Sequence, residues 1–191
     1  DKHVTGVQTC ALPICFMQDA AATDLVAISL DGFDTHANQA AALSRRLAYL
    51  DALLAGLQTG LGADWRDTVV LVVTEFGRTA RINGTLGTDH GTASTALLLG
   101  GGLKPGGLIG DWPTLPDPLL FDDPDLPPTA HLPRPFIAVL AGPMGTAPSA
   151  LDTTVFPSPA LAFGNPVFVP LRLSPPARPP GRFVVWTLPS P

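Results

Sequence analysis

Two histidines lie close to carboxylates: His36 stands two residues after Asp34 in DGFDTH (31–36), and His90 directly follows Asp89 in GTDHG. Glu75 opens a third polar segment, EFGR, which also carries Arg78. Carboxylates and neutral imidazoles are the donors that a divalent zinc, iron or manganese ion accepts. Asp34, His36, Glu75, Asp89 and His90 are therefore the candidate ligands. Each is ordinary alone, because Asp is a common turn former after a strand and a lone His is usually a surface or hydrogen-bonded group. The grouping carries the weight: after residue 15 the only histidines are His36, His90 and His131, and two of them have Asp one or two positions away.

The elements between these segments say where they should meet. LVAISL (25–30) is an unbroken apolar run of strand length and predicts a strand buried on both faces. Ala40, Leu43, Leu47, Leu50, Leu54 and Leu57 recur at helical spacing, which predicts a helix over 37–58 with this stripe on the sheet and Arg45, Arg46 and Asp51 directed elsewhere. Gly60 and Gly62 supply its stop. TVVLVVT (68–74) reads as an interior strand and TALLLG (95–100) as a third. Strand, helix, strand with short joints predicts an α/β fold with neighbouring parallel strands. Ligands of such sheets gather beyond the carboxyl ends of the strands. Asp34, His36 and Glu75 fall at those ends, and Asp89 and His90 lie on a loop that must fold back to the same edge.

Other readings are weaker. GGGLKPGG lacks the spacing of a phosphate-cradling loop and leads into Pro105 and Trp112-Pro113 instead of a helix, so it reads as a glycine turn. Ser29 and Ser94 have no nucleophile-elbow surroundings. SRRLAYLDALL is more simply a sheet-packing face than a partner-binding helix. A net charge of −5 and the lack of any basic cluster argue against a nucleic-acid partner. No apolar stretch has the length of a membrane span.

Composition divides the chain. Twenty of the 22 prolines follow Asp111, and Lys is absent after Lys104. Residues 1–15 are expected to be an artefact, because Val4 to Ile14 matches a frame translation of a widely used sequencing adaptor, as in a metagenomic fragment. The stretch has no continuous apolar core of a secretory signal. Cys10 and Cys15 then say nothing of redox compartment. Residues 16–159 are expected to hold the α/β domain. Pro133, Pro135 and Pro143 punctuate a segment that would otherwise suit a helix. Residues 160–191, ending in SPPARPPGRFVVWTLPSP, are expected to be a Pro-rich tail or a frame-shifted translation.

DGFDTHANQ, the leucine-rich helix, VVLVVTEFGRTARINGTLGTDHGTASTALLLGGGLKPGGLIGDWP and LDTTVFP together resemble the C-terminal half of the bacterial DUF1501 family, a branch similar to the alkaline phosphatase and sulfatase superfamily. The resemblance covers Leu25 to Pro157. It implies a partial three-layer α/β/α fold with a mostly parallel sheet, truncated at the N-terminus. It also implies a divalent metal, zinc or another transition metal, at the strand ends, and a periplasmic or extracellular location, often reached by a twin-arginine signal. By the same resemblance Asp34 and His36 hold the first metal, with Asp31 in reserve, and His90 completes its site. The strand corresponding to VVLVVT usually ends in an Asp-His pair feeding a second metal. Here it ends in Glu75-Phe76, so one imidazole is absent and Glu75 and Asp89 are the remaining candidates for that ion. Arg78 either holds an anionic oxygen by a bidentate contact or pairs with a nearby carboxylate.

The implied chemistry is hydrolysis of small phosphate or sulfate esters. The superfamily's Ser, Thr or modified Cys nucleophile precedes everything present here, so the expectation is a catalytically incomplete part of an exported metal-dependent hydrolase. The alternative is an exported non-catalytic binding or structural protein with the same fold.

Overall fold

The structure is a computed structural model that describes residues 14, 15, 17, 18, 25–101, 103, 107, 108, 112 and 114–129, with 182–188 described as backbone. Most of residues 1–15 and the proline-punctuated segment 131–181 lie outside the described residues.

Strand β1 (Leu25–Ser29) leads through the DGFDTH turn into helix α1 (Gln39–Leu61), and a 3-10 segment (Gly62–Asp67) joins the helix to β2 (Thr68–Thr74). Two short strands, β3 (Gly77–Arg78) and β4 (His90–Gly91), pair antiparallel, followed by β5 (Leu97–Leu99) and β6 (Arg182–Leu188). The larger sheet has the order β1-β6-β2-β5. Strands β1, β6 and β2 run parallel, with Ser29, Thr187 and Val73 in register, whereas β5 runs antiparallel to β2, with Leu97 opposite Val72. The chain therefore has α/β character.

Three expectations need correction. β1 and β2 are parallel but not neighbours, because β6 lies between them. The third strand is antiparallel, so the sheet is mixed. The link from β2 to β5 contains no α-helix among the described residues, and a parallel return normally needs a long crossover, usually helical. The 160–191 region was expected to be a tail, yet Arg182–Leu188 supply an interior strand; the β-branched and aromatic residues of RFVVWTL suit one.

Burial follows sheet position. β2 is buried from Thr68 to Val73. β1 alternates between exposed and half-buried residues instead of being buried on both faces, as befits a strand at one edge of the described sheet. One core joins Leu50, Leu53, Leu57 and Leu61 of α1 to Val70 and Val72 of β2, with Leu30, Phe33 and Met17; Val26 and Ile28 pack against it.

The helix is real but its buried face is rotated and shifted from the expected stripe. Leu53 and Leu61 are core residues, whereas Leu47 is 50 % exposed and Ala40 is exposed. The buried leucines all fall between 50 and 61, so the core covers the later turns of α1 and leaves the first ones open. The helix ends as expected: the backbone N–H of Gly62 closes on the carbonyl of Gln58 with φ at 55°. Ile14, inside the stretch read as adaptor, packs on this same core. Among the described residues no helix is long and apolar enough to cross a membrane.

Candidate metal centre

Strand direction explains why three polar segments meet. β1 and β2 are parallel and level at their ends, so DGFDTH and EFGR leave the sheet at the same edge. Because β5 is antiparallel to β2, its first residue lies at that edge too, and the segment carrying Asp89 and His90 arrives there without crossing the sheet. A parallel third strand would have begun at the opposite end. The β3–β4 pair then sets Arg78 directly across from His90.

The turn after β1 is fixed by the loop over residues 83–90. Asn38 precedes the helix in a left-handed conformation (φ 47°) with no side-chain cap. Instead the backbone N–H groups of Asn38 and Gln39 donate to the carbonyls of Thr85 and Leu86, at 3.0 and 2.9 Å. Two donors left open at a helix start are thereby satisfied by the neighbouring loop. Gln39 Oε1 accepts from the buried hydroxyls of Thr35 and Thr88. Gly87 lies so close to this turn that an added Cβ would stand 2.1 Å from the carbonyl carbon of His36, so only glycine fits.

On this frame Asp34, His36 and His90 each offer one ligand atom, all within 4.8 Å of one another. His36 Nε2 and His90 Nε2 lie 2.9 and 2.8 Å from the same oxygen, Asp34 Oδ1. The two imidazoles are 4.9 Å apart at a tilt of 41°, and the Phe76 ring stacks on His90 at 4.8 Å. Arg78 pairs with Asp34 and donates to the carbonyls of Thr88 (2.6 Å) and Phe33 (3.1 Å), while its guanidinium covers the face of Phe76. Of the two roles expected for Arg78, pairing with a carboxylate is the one visible here.

Burial of Asp34 works against its charge, but the hydrogen bond from His90 and the charges of Arg78 and His36 outweigh it, holding the carboxyl below its ordinary range. Asp89 is also held low, by hydrogen bonds from Asn83 and His36. Both carboxylates are thus kept in the charged form a cation needs.

Glu75 and Asp89 fall outside the three-residue group, and Asp31 and Glu75 are exposed. Asp89 contacts the other side of the His36 ring, where Nδ1 lies 3.1 Å from its Oδ1. Asn83, Gln39, Thr35, Thr88 and Phe76 were not singled out from sequence. Only Asn83 carried a signal, in the Asn83-Gly84 turn pair.

The donor set suits a divalent transition metal. Two imidazoles and one carboxylate make a three-ligand site that leaves positions open for water or substrate. Hydrogen-bond arithmetic agrees. A carboxylate cannot donate, and both His36 ring nitrogens face carboxylate oxygens, so a neutral His36 can satisfy one and needs a cation at the other. Tetrahedral ligands sharing one zinc ion at about 2.0–2.2 Å stand about 3.3–3.6 Å apart, so the Asp34–His separations of 2.9 and 2.8 Å would have to widen and the widest separation in the group, within 4.8 Å, to close.

A family model described as "Protein of unknown function (DUF1501)" matches residues 8–120. The match begins within the stretch read as adaptor and stops short of Pro157, where the resemblance had been drawn. No curated protein and no solved structure matches the chain. With more than half of its residues matched by that model, the chain belongs to the DUF1501 family.

Proposed function

We propose that this chain is the metal-holding part of an exported hydrolase for small phosphate or sulfate esters, built on an alkaline phosphatase-like three-layer fold. The observation that carries the reading is the convergence of Asp34, His36 and His90 on one point at the strand ends. In this reading those three residues hold a zinc or similar ion. Such an ion supplies Lewis acidity to the ester and neutralises the charge developing on its oxygens. Arg78 keeps Asp34 charged and oriented, and Phe76 holds the plane of His90. The nucleophile comes from residues outside this sequence, so the chain alone binds an ion without turning over ester. A periplasmic or extracellular working place, and an adaptor origin for residues 1–15, belong to the same proposal.

A second reading has its own observation. Asp34 Oδ1 already receives Arg78 and faces both imidazoles, so protonated histidines would close the cluster without an ion. The protein would then be a non-catalytic binding or structural module.

Calorimetric titration with zinc and with manganese separates the two. The metal reading expects one ion per chain, lost in His36→Ala and in His90→Ala, and no hydrolysis of nitrophenyl phosphate or nitrophenyl sulfate. Absence of binding by the unaltered chain selects the second reading, and turnover by the chain alone overturns the assignment of the nucleophile elsewhere.

A further inference from the structure

Asp89 stood among the expected metal ligands, yet its position is that of a group acting on a ligand. Its Oδ1 lies 3.1 Å from His36 Nδ1, while His36 Nε2 faces Asp34 and His90. The two ring nitrogens look in different directions, so Asp89 is on the side away from the point where the three ligand atoms converge. The contact is built: Asn83 Nδ2 donates to Asp89 Oδ1 at 2.9 Å and to the carbonyl of His36 at 3.0 Å. One amide thus ties the carboxylate to the backbone of the residue it faces. Asn83 is itself fixed, because its Oδ1 accepts from the backbone N–H groups of Thr85 and Gly87, both at 3.0 Å. The Thr85 hydroxyl adds a bond to the His36 carbonyl at 2.6 Å.

We infer that Asp89, held by Asn83, is a positioning residue that keeps the proton of neutral His36 on Nδ1 and so presents the Nε2 lone pair to a divalent metal. Accepting from Nδ1–H fixes both tautomer and ring orientation and raises the basicity of the other nitrogen. The metal-binding consequence rests on the reading of Asp34, His36 and His90 as an ion site; the tautomer rests on Asp34 Oδ1, 2.9 Å from Nε2, already meeting Arg78 and His90, which leaves Asp89 as the acceptor for the His36 proton. Asp89 would therefore tune affinity without touching the ion, in contrast to His36 and His90.

Two measurements on the full chain test this. Nitrogen-15 NMR of the metal-free protein at alkaline pH should show His36 as the Nδ1–H tautomer, with Asp89→Ala shifting it toward Nε2–H. Zinc competition against a chromophoric chelator should show Asp89→Ala weaker by about 10- to 100-fold, as for loss of an outer-shell carboxylate, with Asn83→Ala weaker in the same sense and His36→Ala without binding. An Nε2–H tautomer in the unaltered protein overturns the inference, as does an Asp89→Ala affinity within twofold of the parent. If the parent binds no zinc, the ion-site reading fails, and the tautomer measured in the parent still decides the role of Asp89.

Discussion

Thr35 and Thr88 donate to one shared acceptor, Gln39 Oε1, at 2.8 and 2.7 Å, and both threonines are buried. A single amide oxygen at the start of α1 thereby joins the turn after β1 to the loop before β5. Gln39→Ala strands two buried hydroxyls, each costing about 1–3 kcal/mol, so a loss of roughly 2–6 kcal/mol is expected in urea denaturation. Gln39→Glu keeps an acceptor and should recover most of it. A Gln39→Ala protein as stable as its parent would show that these hydroxyls find other partners.

Gly87 meets backbone, not a side-chain tip that could swing aside. Gly87→Ala should therefore push the 83–90 loop away from His36. Zinc binding by calorimetry is expected to disappear while far-ultraviolet circular dichroism stays near that of the parent. Gly84→Ala, where an added Cβ meets nothing within 4 Å, is the control and should bind as the parent does.

Leu53 is fully buried and Leu47 half exposed on the same helix. Leu53→Ala is expected to cost about 2–5 kcal/mol through lost burial and a residual cavity. Leu47→Ala should change stability by no more than about 0.5 kcal/mol. Equal effects in chemical denaturation would mean that the packed face of α1 is the stripe expected from sequence.

The place of β6 makes a further prediction. Removing residues 182–191 takes out the strand between β1 and β2 and leaves Val69 to Val73 without that partner. The shortened chain is expected to lose cooperative unfolding and to bind 8-anilinonaphthalene-1-sulfonate, the behaviour of a sheet that cannot close. A sharp transition in the truncated chain would show that β6 is dispensable.

Local features were legible in the sequence and the sheet order was not. The apolar runs at 25–29 and 68–74 and the helix with its Gly62 stop reveal themselves by composition and period, which depend on near neighbours. What separates β1 from β2 is a strand more than a hundred residues later in the chain, and nothing in LVAIS or TVVLVVT encodes which partner fills the gap. The direction of β5 could have been read: EFGRTARINGTLGTDHGTAS has no helical period, and without a crossover helix the return to the sheet is most simply antiparallel. Asp34, His36 and His90 were identifiable from residue type. The different placement of Asp89 was not, because it depends on which edge of an imidazole it meets, and that is set by the Asn83 turn.

The interior position of β6 also bears on the order of events during synthesis. β1, α1 and β2 emerge from the ribosome long before Arg182–Leu188, so the nascent chain carries two unjoined strands, with one edge of β2 unpaired by β6, until those residues have been made. Pairing that spans so much sequence is entropically slow and exposes strand edges to other chains in the meantime. Yield of the folded protein should then depend on translation speed through the proline-rich stretch and on chaperone supply, even when the finished molecule is stable.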